Sequence, residues 1–505
     1  MGHYDKAEPP VRDARLIIGD SYSGRGCDVI DCARSGCLLS KGRRFWQANV
    51  CQMSLSLMMA ATVDNCAIIM HAPIGCGATM AQLAPNAARG KARRGKQPSM
   101  PVWLSTNLTE IDVIGGGGSK LRETILYADR EYHPEIIFVV ATCAPNIIGD
   151  DIDEVIRSVE KNTEAIITAL HCPGFKSRVV ASAYDAFYHA LLSRVPLEPI
   201  AYRDWRPVER ADPDYAAKLR RFNSDKRSTV NIWNATSIGA GDEEEMARLL
   251  GAVGLRARIY AEYCSADELR MVSFGGLNVS MCNVHDDYIL AYLHEKYNIP
   301  YIIKGMPLGF AGTREWLMEI ADSFGVADRA ASLIADEERR CREAIEPFLP
   351  LLAGKRVLIA GGVIRTGAEA VMLSELGLDV IGVRAYHYDT GADPVLADMA
   401  DELPDVPLTV SNQPFELINQ LKNLKPDIVI SHNGTHAWIA KAGFVSVPLW
   451  DTERTFFGYT GVFSLVRRLA FALKNNSYPR RLSANAPLPY RKSWYARSFD
   501  AYITD

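Results

Sequence analysis

Apolar segments of strand length alternate with helix-length segments along most of the chain, and this alternation constrains the fold more than any other feature. The apolar run at 135–143, for example, is followed by Gly-Asp-Asp and a helical pattern over 152–161. Further pairs predict strands at 229–233, 301–303 and 356–360, with helices at 242–254, 313–324 and 368–376. Repeated strand-helix units form parallel sheets with helices on both faces, so the sequence predicts an α/β fold of three Rossmann-like, doubly wound domains.

The length of 505 residues exceeds what one hydrophobic core usually supports, which also favours several domains. Charged, proline-rich sequence around 202–227 and the segment 347–355 mark soft boundaries. We therefore expect an N-terminal arm and three α/β domains, at 1–44, 45–215, 216–350 and 351–505.

The composition excludes several classes of function. Apolar residues make up 48% of the chain, charged residues 23%, and the net charge is −4, as in ordinary globular proteins. The one dense basic run, at 89–96, has no interleaved aromatic residues, so we expect no nucleic acid partner. No apolar run is long enough to span a membrane and no signal pattern is visible, which predicts a cytoplasmic protein without a membrane partner.

Eleven cysteines in a cytoplasmic chain are not expected to form structural disulfides, so metal binding or buried packing must account for them. Cys51 follows an aromatic segment, Cys76 lies in the turn-like HAPIGCG, and Cys143 ends a predicted buried strand. A thiolate beside an apolar wall is a good soft ligand for iron, and the wall tunes the potential of a cluster. No CxxC pair is present, so spacing alone leaves buried packing open as the alternative. The glycines at 115–118 fit neither the P-loop spacing nor the dinucleotide-binding spacing, so they predict a tight turn.

Three segments of the chain carry a resemblance to a known family. HAPIGCG (71–77), the cysteine 25 positions before Cys76, and ATCAPNIIGDDIDEVI (141–156) closely resemble the P-cluster cysteine segments of nitrogenase component 1 subunits, and 105–121 resembles the sequence between the second and third of these. The resemblance implies that Cys51, Cys76 and Cys143 ligate a P-cluster-type 8Fe–7S cluster. Three thiolates cannot enclose eight irons, so the cluster would be shared with a β-type subunit.

A fourth segment points to the α-type subunit. LNVSMCNVHDDYILAYLHEKYNIPY (277–301) is similar to the α-type segment whose cysteine caps one end of a large iron–sulfur cofactor, and Cys282 takes that place. WDTERTFFGYTG (450–461) is similar to the stretch that supplies the second protein ligand, a histidine, but Phe457 stands there and cannot ligate metal. VVASAYDAFYH (179–189) resembles the segment that offers a histidine and a glutamine to substrate, but Ala181 and Ala186 occupy those positions.

The resemblance also implies surroundings for the cofactor. Lys441 matches a family lysine near the organic acid of the cofactor, with an ordinary surface lysine as the alternative. Gly361 and Gly362 belong to GGVIRTGAEAV, which resembles a glycine-rich loop that packs on the cofactor, although one inserted residue shifts Arg365 from the arginine there. Three histidines that follow predicted strands could replace the lost ligand or simply be hydrogen-bonded loop residues: His387, His432 and His436. His71 is interpreted as structural, and Cys27, Cys32, Cys37, Cys66, Cys172, Cys264 and Cys341 are left unassigned.

Taken with its departures, the resemblance implies the catalytic α-type subunit of a nitrogenase-like reductase, most like the methylthio-alkane reductases, which cleave a C–S bond reductively. An ATP-hydrolysing iron–sulfur reductase protein would supply electrons to an α2β2 heterotetramer, through the P-cluster-type cluster to a large cofactor between the domains. Three alternatives stay open: a cofactor-assembly scaffold, which also lacks the histidine; a tetrapyrrole reductase of the dark protochlorophyllide type; and an α/β protein with incidental thiols. The sequence does not give the substrate, the heterometal, the organic acid or the ligand opposite Cys282.

Overall fold

The computed structural model describes residues 8–36, 38, 51–77, 80–195, 197, 213–234, 236 and 238–501. Within them, parallel β-sheets covered by helices confirm the predicted α/β fold. Before the first of these sheets, the arm contains two short strands and a helix: β1 (Ile18–Gly19), β2 (Tyr22–Arg25) and α1 (Val29–Arg34).

The first sheet has the order β4-β3-β5-β6, with all strands parallel. The strands are β3 (Cys66–His71), β4 (Val102–Ser105), β5 (Ile136–Ala141) and β6 (Ile166–His171). Both central strands, β3 and β5, are buried along their whole length, as expected for a parallel sheet covered on both faces. The accompanying helices are α2 (Gln52–Ala60), α3 (Ile74–Gly77), α4 (Met80–Arg93), α5 (Glu110–Gly115), α6 (Gly118–Tyr132), α7 (Cys143–Ile148), α8 (Ile152–Val159) and α9 (Ser182–Arg194).

The second sheet is also parallel, in the order β10-β9-β7-β8. Its strands are β7 (Thr229–Asn234), β8 (Arg256–Ala261), β9 (Leu277–Ser280) and β10 (Tyr301–Ile302). Its helices are α10 (Tyr215–Lys226), α11 (Ala240–Ala252), α12 (Ala266–Arg270), α13 (Asn283–Tyr297), α14 (Gly309–Ser323), α15 (Ala327–Ile345) and α16 (Leu349–Leu352).

The third sheet lies in the C-terminal part of the chain and includes one strand from the arm. Its C-terminal strands are β11 (Arg356–Gly361), β12 (Asp379–Ala385), β14 (Pro407–Val410), β15 (Ile428–Ser431) and β16 (Ser446–Pro448), and β13 (Tyr388–Asp389) lies beside it. The helices are α17 (Val363–Glu375), α18 (Asp393–Glu402), α19 (Pro414–Leu424), α20 (His436–Lys441), α21 (Gly458–Lys474), α22 (Ser477–Asn485) and α23 (Lys492–Tyr495).

The arm is joined to this C-terminal part by two antiparallel pairings. Strand β2 pairs with β14 and completes the order β16-β15-β11-β12-β14-β2, in which all other pairs are parallel. Strand β1 pairs with β13. The arm is therefore built into the fold through its own backbone hydrogen bonds, although no periodicity in its sequence predicts these strands.

The helices predicted at 242–254, 313–324 and 368–376 all begin earlier than expected, and α11 begins at Ala240 instead of 242. Helix α14 begins at Gly309 instead of 313, and α17 begins at Val363 instead of 368. In α14 the first turn includes Gly309, Ala311 and Gly312, which hide the helical period of apolar side chains. The early start of α17 places Gly362 at its N-cap, directly after β11. None of the helices formed by the described residues is long and apolar enough to cross a bilayer.

Candidate metal centres

The three predicted cluster cysteines lie at the carboxyl edge of the first sheet, where ligands of parallel sheets bind. Cys76 lies in α3, just after β3, and Cys51 is the residue before α2. Cys143 is the first residue of α7, with Thr142 as its N-cap, so it does not end the strand as predicted. The HAPIGCG segment likewise forms the short helix α3 where a turn was predicted.

Two of the three thiols lie beside Gly174, and the third is their neighbour. A Cβ atom built on Gly174 would lie 3.5 Å from Cys51 Sγ and 3.7 Å from Cys143 Sγ. The pKa of Cys76 is raised by burial first and then by the neighbouring thiols of Cys143 and Cys51. The structure thus brings together three cysteines that are far apart in the sequence.

The space around these thiols suits a cluster better than a single ion. A Cβ atom at Gly75 or Gly77, on either side of Cys76, would meet nothing within 4 Å. No three His, Cys, Asp or Glu side chains in the described part of the chain are arranged to hold one metal ion. Soft thiolates with open space between them fit a multi-iron cluster, whose remaining ligands would come from another chain.

One more cysteine, which the sequence left unassigned, lies behind the three. Cys172 is fully buried, and burial raises the pKa of its thiol, which Ser56 hydrogen-bonds. The thiols of Cys51, Cys143 and Cys76 raise this pKa further, so Cys172 is their close neighbour. Its position directly after β6, at the same sheet edge, is the signal that could have identified it.

A buried histidine ties the segments that carry Cys76 and Cys143 together. His71 is hydrogen-bonded through Nδ1 to Thr106 Oγ1 at 3.1 Å and through Nε2 to Asp150 Oδ2 at 3.0 Å. Asp150 also accepts hydrogen bonds from the backbone N–H of Gly117, at 3.0 and 3.1 Å. A Cβ at Gly117 would come within 2.8 Å of both Asp150 and His71, so the glycine run permits this close packing.

Apolar side chains surround the three-cysteine site on the surface. Cys51 itself is exposed. Five large apolar residues on α3, α5, α7 and the loop after β6 are 55–88% exposed: Ile74, Ile111, Ile114, Ile147 and Phe175. We call these five residues the apolar rim. Exposed apolar residues grouped around an incomplete ligand set are typical of a protein interface.

The second candidate centre is Cys282, which is buried at the N-cap of α13. Its backbone N–H donates to Ser280 Oγ at 3.0 Å and to Asp286 Oδ2 at 3.3 Å. Asp286 also accepts hydrogen bonds from the hydroxyls of Tyr188, at 2.8 Å, and Ser280, at 2.9 Å. Burial raises the pKa of the Cys282 thiol to about 12, and Asp286 adds to this, so the site favours the thiolate only when a positive charge or metal is bound.

Arg365 lies beside Cys282 despite its shift in the sequence. The Arg365 guanidinium carbon is 5.1 Å from the centre of the Phe457 ring, which is fully buried. Burial lowers the pKa of Arg365, while Glu369, Asp242 and the Cys282 thiol counteract this shift. A buried cation next to Cys282 favours an anionic ligand there.

The two glycines of this region differ in their surroundings. A Cβ at Gly361 would lie 2.2 Å from Leu449 Cδ2, so this glycine allows close packing of protein atoms. A Cβ at Gly362 would meet nothing within 4 Å, so Gly362 borders open space at the start of α17. Only Gly362 therefore has room for a cofactor against it.

A stacked histidine and tyrosine near Cys282 were missed by the sequence analysis. The ring centroids of His285 and Tyr184 are 3.6 Å apart with nearly parallel planes. Burial lowers the pKa of His285, and the neighbouring Arg12, His387 and Arg365 lower it further. His285 lies three residues after Cys282 on α13, a spacing that places both on one face of the helix.

The other sequence candidates lie in different environments. Lys441 is exposed, with Nζ 5.6 Å from the Trp438 ring, and it lines a surface groove of about 1190 Å³; no described contact brings it to Cys282. His436 donates from Nε2 to the carbonyl oxygen of Ser431 at 2.9 Å. His432 has an accessible side chain, yet desolvation lowers its pKa, with Arg365 contributing. His387 Nε2 lies 3.5 Å from Asp389 Oδ2.

The arm supplies a buried arginine to the junction next to Cys282. Arg12 is fully buried, with Nε 2.7 Å from Asp389 Oδ2 and Nη1 2.7 Å from Asp287 Oδ1. Its backbone N–H donates to Ser182 Oγ at 2.9 Å. Arg12 therefore connects the arm to parts of the chain that carry all three sheets.

Comparison with known proteins identifies the family of this chain. The profile of the family described as nitrogenase component 1 type oxidoreductase matches residues 51–474. The chain belongs to the nitrogenase component 1 family. The matched region includes the residues of the three-cysteine site and Cys282.

Relatives in this family include enzymes and assembly proteins. The chain is 24% identical to the nitrogenase molybdenum-iron protein alpha chain of Methanothermobacter marburgensis, over 93% of this chain and 95% of that one. It is 26% identical to the nitrogenase iron-molybdenum cofactor biosynthesis protein NifE of Sinorhizobium fredii, over 85% and 82%. A solved structure of nitrogenase Cp1 at pH 5 superposes with a TM-score of 0.67 at 20% identity, over 87% and 91%, which shows a shared fold.

Proposed function

We propose that this chain is the catalytic α-type subunit of a nitrogenase-like reductase that cleaves the C–S bond of methylthio-alkanes. The main support is that one chain combines two features. Three neighbouring cysteines lie beside exposed apolar residues, and a buried Cys282 site has Phe457 at the position where the family resemblance places a metal-binding histidine. The first feature indicates electron entry, and the second indicates a cofactor pocket that differs from that of a dinitrogen reductase.

The proposed reaction is a two-electron reduction: R–S–CH₃ + 2 e⁻ + 2 H⁺ gives R–H and CH₃SH. A large iron–sulfur cofactor bound at Cys282 would supply the electrons at the substrate. Cys282 would anchor this group at one end, and the buried Arg365 would balance its negative charge. Phe457 gives the pocket an apolar wall, which suits an uncharged thioether better than an imidazole would.

Two partners follow from the proposal. A β-type subunit would complete the 8Fe–7S cluster in an α2β2 heterotetramer, because three thiols cannot enclose eight irons and exposed apolar residues lie on the neighbouring elements. An ATP-hydrolysing iron–sulfur reductase protein would bind near the same site and supply single electrons. The apolar rim supports contacts of this kind, since such residues are stabilised when a partner covers them.

The test is to purify the complex with its β-type partner anaerobically and to measure iron, acid-labile sulfide, molybdenum and vanadium. Turnover of a methylthio-alkane with the reductase protein and ATP is then followed by methanethiol release. We expect enough iron for two distinct clusters and release of methanethiol that depends on ATP. Iron near four per αβ unit would contradict a large cofactor at Cys282.

A cofactor-assembly scaffold is the second candidate, and one observation favours it. Phe457 leaves Cys282 without the usual second ligand, which suits a site that must release its cofactor, and a NifE protein is among the relatives. A scaffold would transfer the cluster from the purified complex to a cofactor-free nitrogenase and show no turnover. High iron with methanethiol release and no transfer would contradict this alternative.

A further inference from the structure

The replacement of the usual histidine by Phe457 raises the question of which residue binds the metal opposite Cys282. Three histidines lie in this region: His285 is in the first turn of α13, His387 acts on the pKa of His285, and Arg365 acts on the pKa of His432. Neutral imidazole is a common ligand for iron, and its ring is usually held in place by a carboxylate or carbonyl on the other nitrogen. The choice among the three can therefore be made from the contacts of each ring.

We infer that His387 is the second protein ligand of the large iron–sulfur cofactor, oriented by Asp389 and Arg12. This inference rests on the proposed function, because it requires a large cluster at Cys282. His387 follows β12 by two residues, at the carboxyl edge of the third sheet. Gly362, which borders open space, follows the adjacent parallel strand β11 at the same edge.

The His387 ring has a carboxylate next to one of its two nitrogens. Nε2 is buried, makes no hydrogen bond within the described residues, and lies 3.5 Å from Asp389 Oδ2. The side chain is nevertheless 20% exposed, so its accessible part lies elsewhere on the ring. An imidazole with one nitrogen facing a carboxylate leaves Nδ1 to bind metal.

The carboxylate that faces His387 is itself fixed. Asp389 is fully buried and receives Arg12 Nε at 2.7 Å on Oδ2. The backbone N–H of Gly391 donates to its Oδ1 at 2.9 Å. Since both oxygens are engaged, the carboxylate cannot rotate without breaking a contact, and the orientation of His387 depends on the arm through Arg12.

The other two histidines fit the role less well. His285 is one helical turn from Cys282 and its backbone N–H donates to the Cys282 carbonyl oxygen at 2.8 Å, so it would bind near the same end of a cluster. Its ring is also stacked on Tyr184. His432 has no carboxylate within ion-pair distance in the described structure, and its ring lies 6.2 Å from Tyr386.

The experiment measures nitrogen coordination directly. The complex is purified anaerobically with its β-type partner from cells fed ¹⁵N-histidine or ¹⁴N-histidine, and pulsed EPR is recorded on the reduced protein. We expect a strong histidine nitrogen coupling that changes with the isotope, that is absent in His387→Gln, and that persists in His432→Gln and in the control His436→Gln. We also expect His387→Gln to retain the large cluster about tenfold to 100-fold less tightly.

The cluster content of each variant distinguishes a wrong ligand assignment from a wrong proposed function. Iron and sulfide attributable to the Cys51, Cys76 and Cys143 cluster should be unchanged in His387→Gln, which shows that the subunits are folded and assembled. A coupling that survives in His387→Gln, or that disappears in His432→Gln instead, overturns the ligand assignment while leaving the proposed function intact. A wild-type complex without a second cluster overturns both.

Discussion

The two cysteine sites of this chain differ in how much of each site the chain itself provides. The three-cysteine site lies at the surface, with an exposed Cys51 and an exposed apolar rim. The Cys282 site is buried, and its thiol, Arg365 and Phe457 are all covered by protein. In the proposed complex a partner completes the first site, whereas the second is already covered by the protein's own residues.

This difference suits two steps of one electron path. A site that receives electrons from a separate protein must lie near an accessible surface. A site that reduces substrate benefits from exclusion of water, because buried charges such as Arg365 interact more strongly in a low-dielectric surrounding. The contrast can be tested by changing one site at a time.

Cysteine replacement should give the largest effects and should separate the sites. Cys143→Ala removes a thiolate from the surface site, so we expect the P-cluster-type cluster to be lost and turnover to fall to background. Cys282→Ala should also stop turnover but leave that cluster, and its iron and sulfide, in place. Metal analysis and EPR of each purified complex distinguish the two outcomes.

The matched control is Cys341→Ala, which removes a buried thiol that contacts the carbonyl of Tyr459 and lies at neither site. It should keep both clusters and wild-type turnover. If Cys282→Ala kept its full iron content, Cys282 would not hold a cluster.

Removal of the arm's buried arginine should give the next largest effect. Arg12→Met leaves the fully buried Asp389 and Asp185 beside an apolar side chain, so we expect the free energy of unfolding to fall by about 3–5 kcal/mol. The exposed Arg25 pairs with Asp28 at 2.9 Å on the surface, and Arg25→Met should not change stability measurably. Thermal or urea unfolding of the complex measures both variants. Equal losses of stability would show that the buried Arg12 stabilises the fold no more than a surface arginine does.

A charge placed in the apolar rim should weaken partner binding without unfolding the chain. Ile114 is 88% exposed, so Ile114→Asp has no core packing to disrupt but would bury an aspartate in an interface. We expect binding of the reductase protein or the β-type subunit to weaken about tenfold or more. Binding is measured by titration and by size-exclusion chromatography.

The control for the rim is Met100→Asp. Met100 is 62% exposed and precedes β4, so it lies at the opposite edge of the first sheet. Its replacement should leave binding unchanged. Equal weakening by both variants would mean that the rim is not an interface.

Short sequence motifs made the α/β fold and the positions of two cluster cysteines predictable. Cys76 and Cys143 are positioned by strands and turns within a few residues, so local pattern was enough to place them at one sheet edge. The contact between Arg12 and Asp389 joins residues 377 positions apart, and nothing local in the arm indicates it. The interaction of Arg365 with the Cys282 thiol joins residues from different domains, so local sequence did not indicate it either.

A pH-dependent effect is expected for Glu369, which is buried on α17 and interacts with Arg365 and Arg468. Burial raises the pKa of Glu369 to about 8 from an ordinary value of 4.5. Between these two values the unfolded chain is ionised and the folded chain holds the proton, so this residue makes the fold less stable as pH rises, by about 1.4 kcal/mol per pH unit at most. Glutamine has no such dependence.

Glu369→Gln should therefore match wild type near pH 5 and be the more stable protein at pH 8. Urea unfolding at both values measures the difference, with Glu375→Gln, a carboxylate at the end of the same helix that accepts backbone hydrogen bonds from Phe310 and Ala311, as the comparison. If the difference between Glu369→Gln and wild type were the same at pH 5 and pH 8, then Glu369 would be ionised in the folded chain and paired with an arginine. The interior next to Cys282 would then carry an ion pair instead of a neutral acid beside a buried cation.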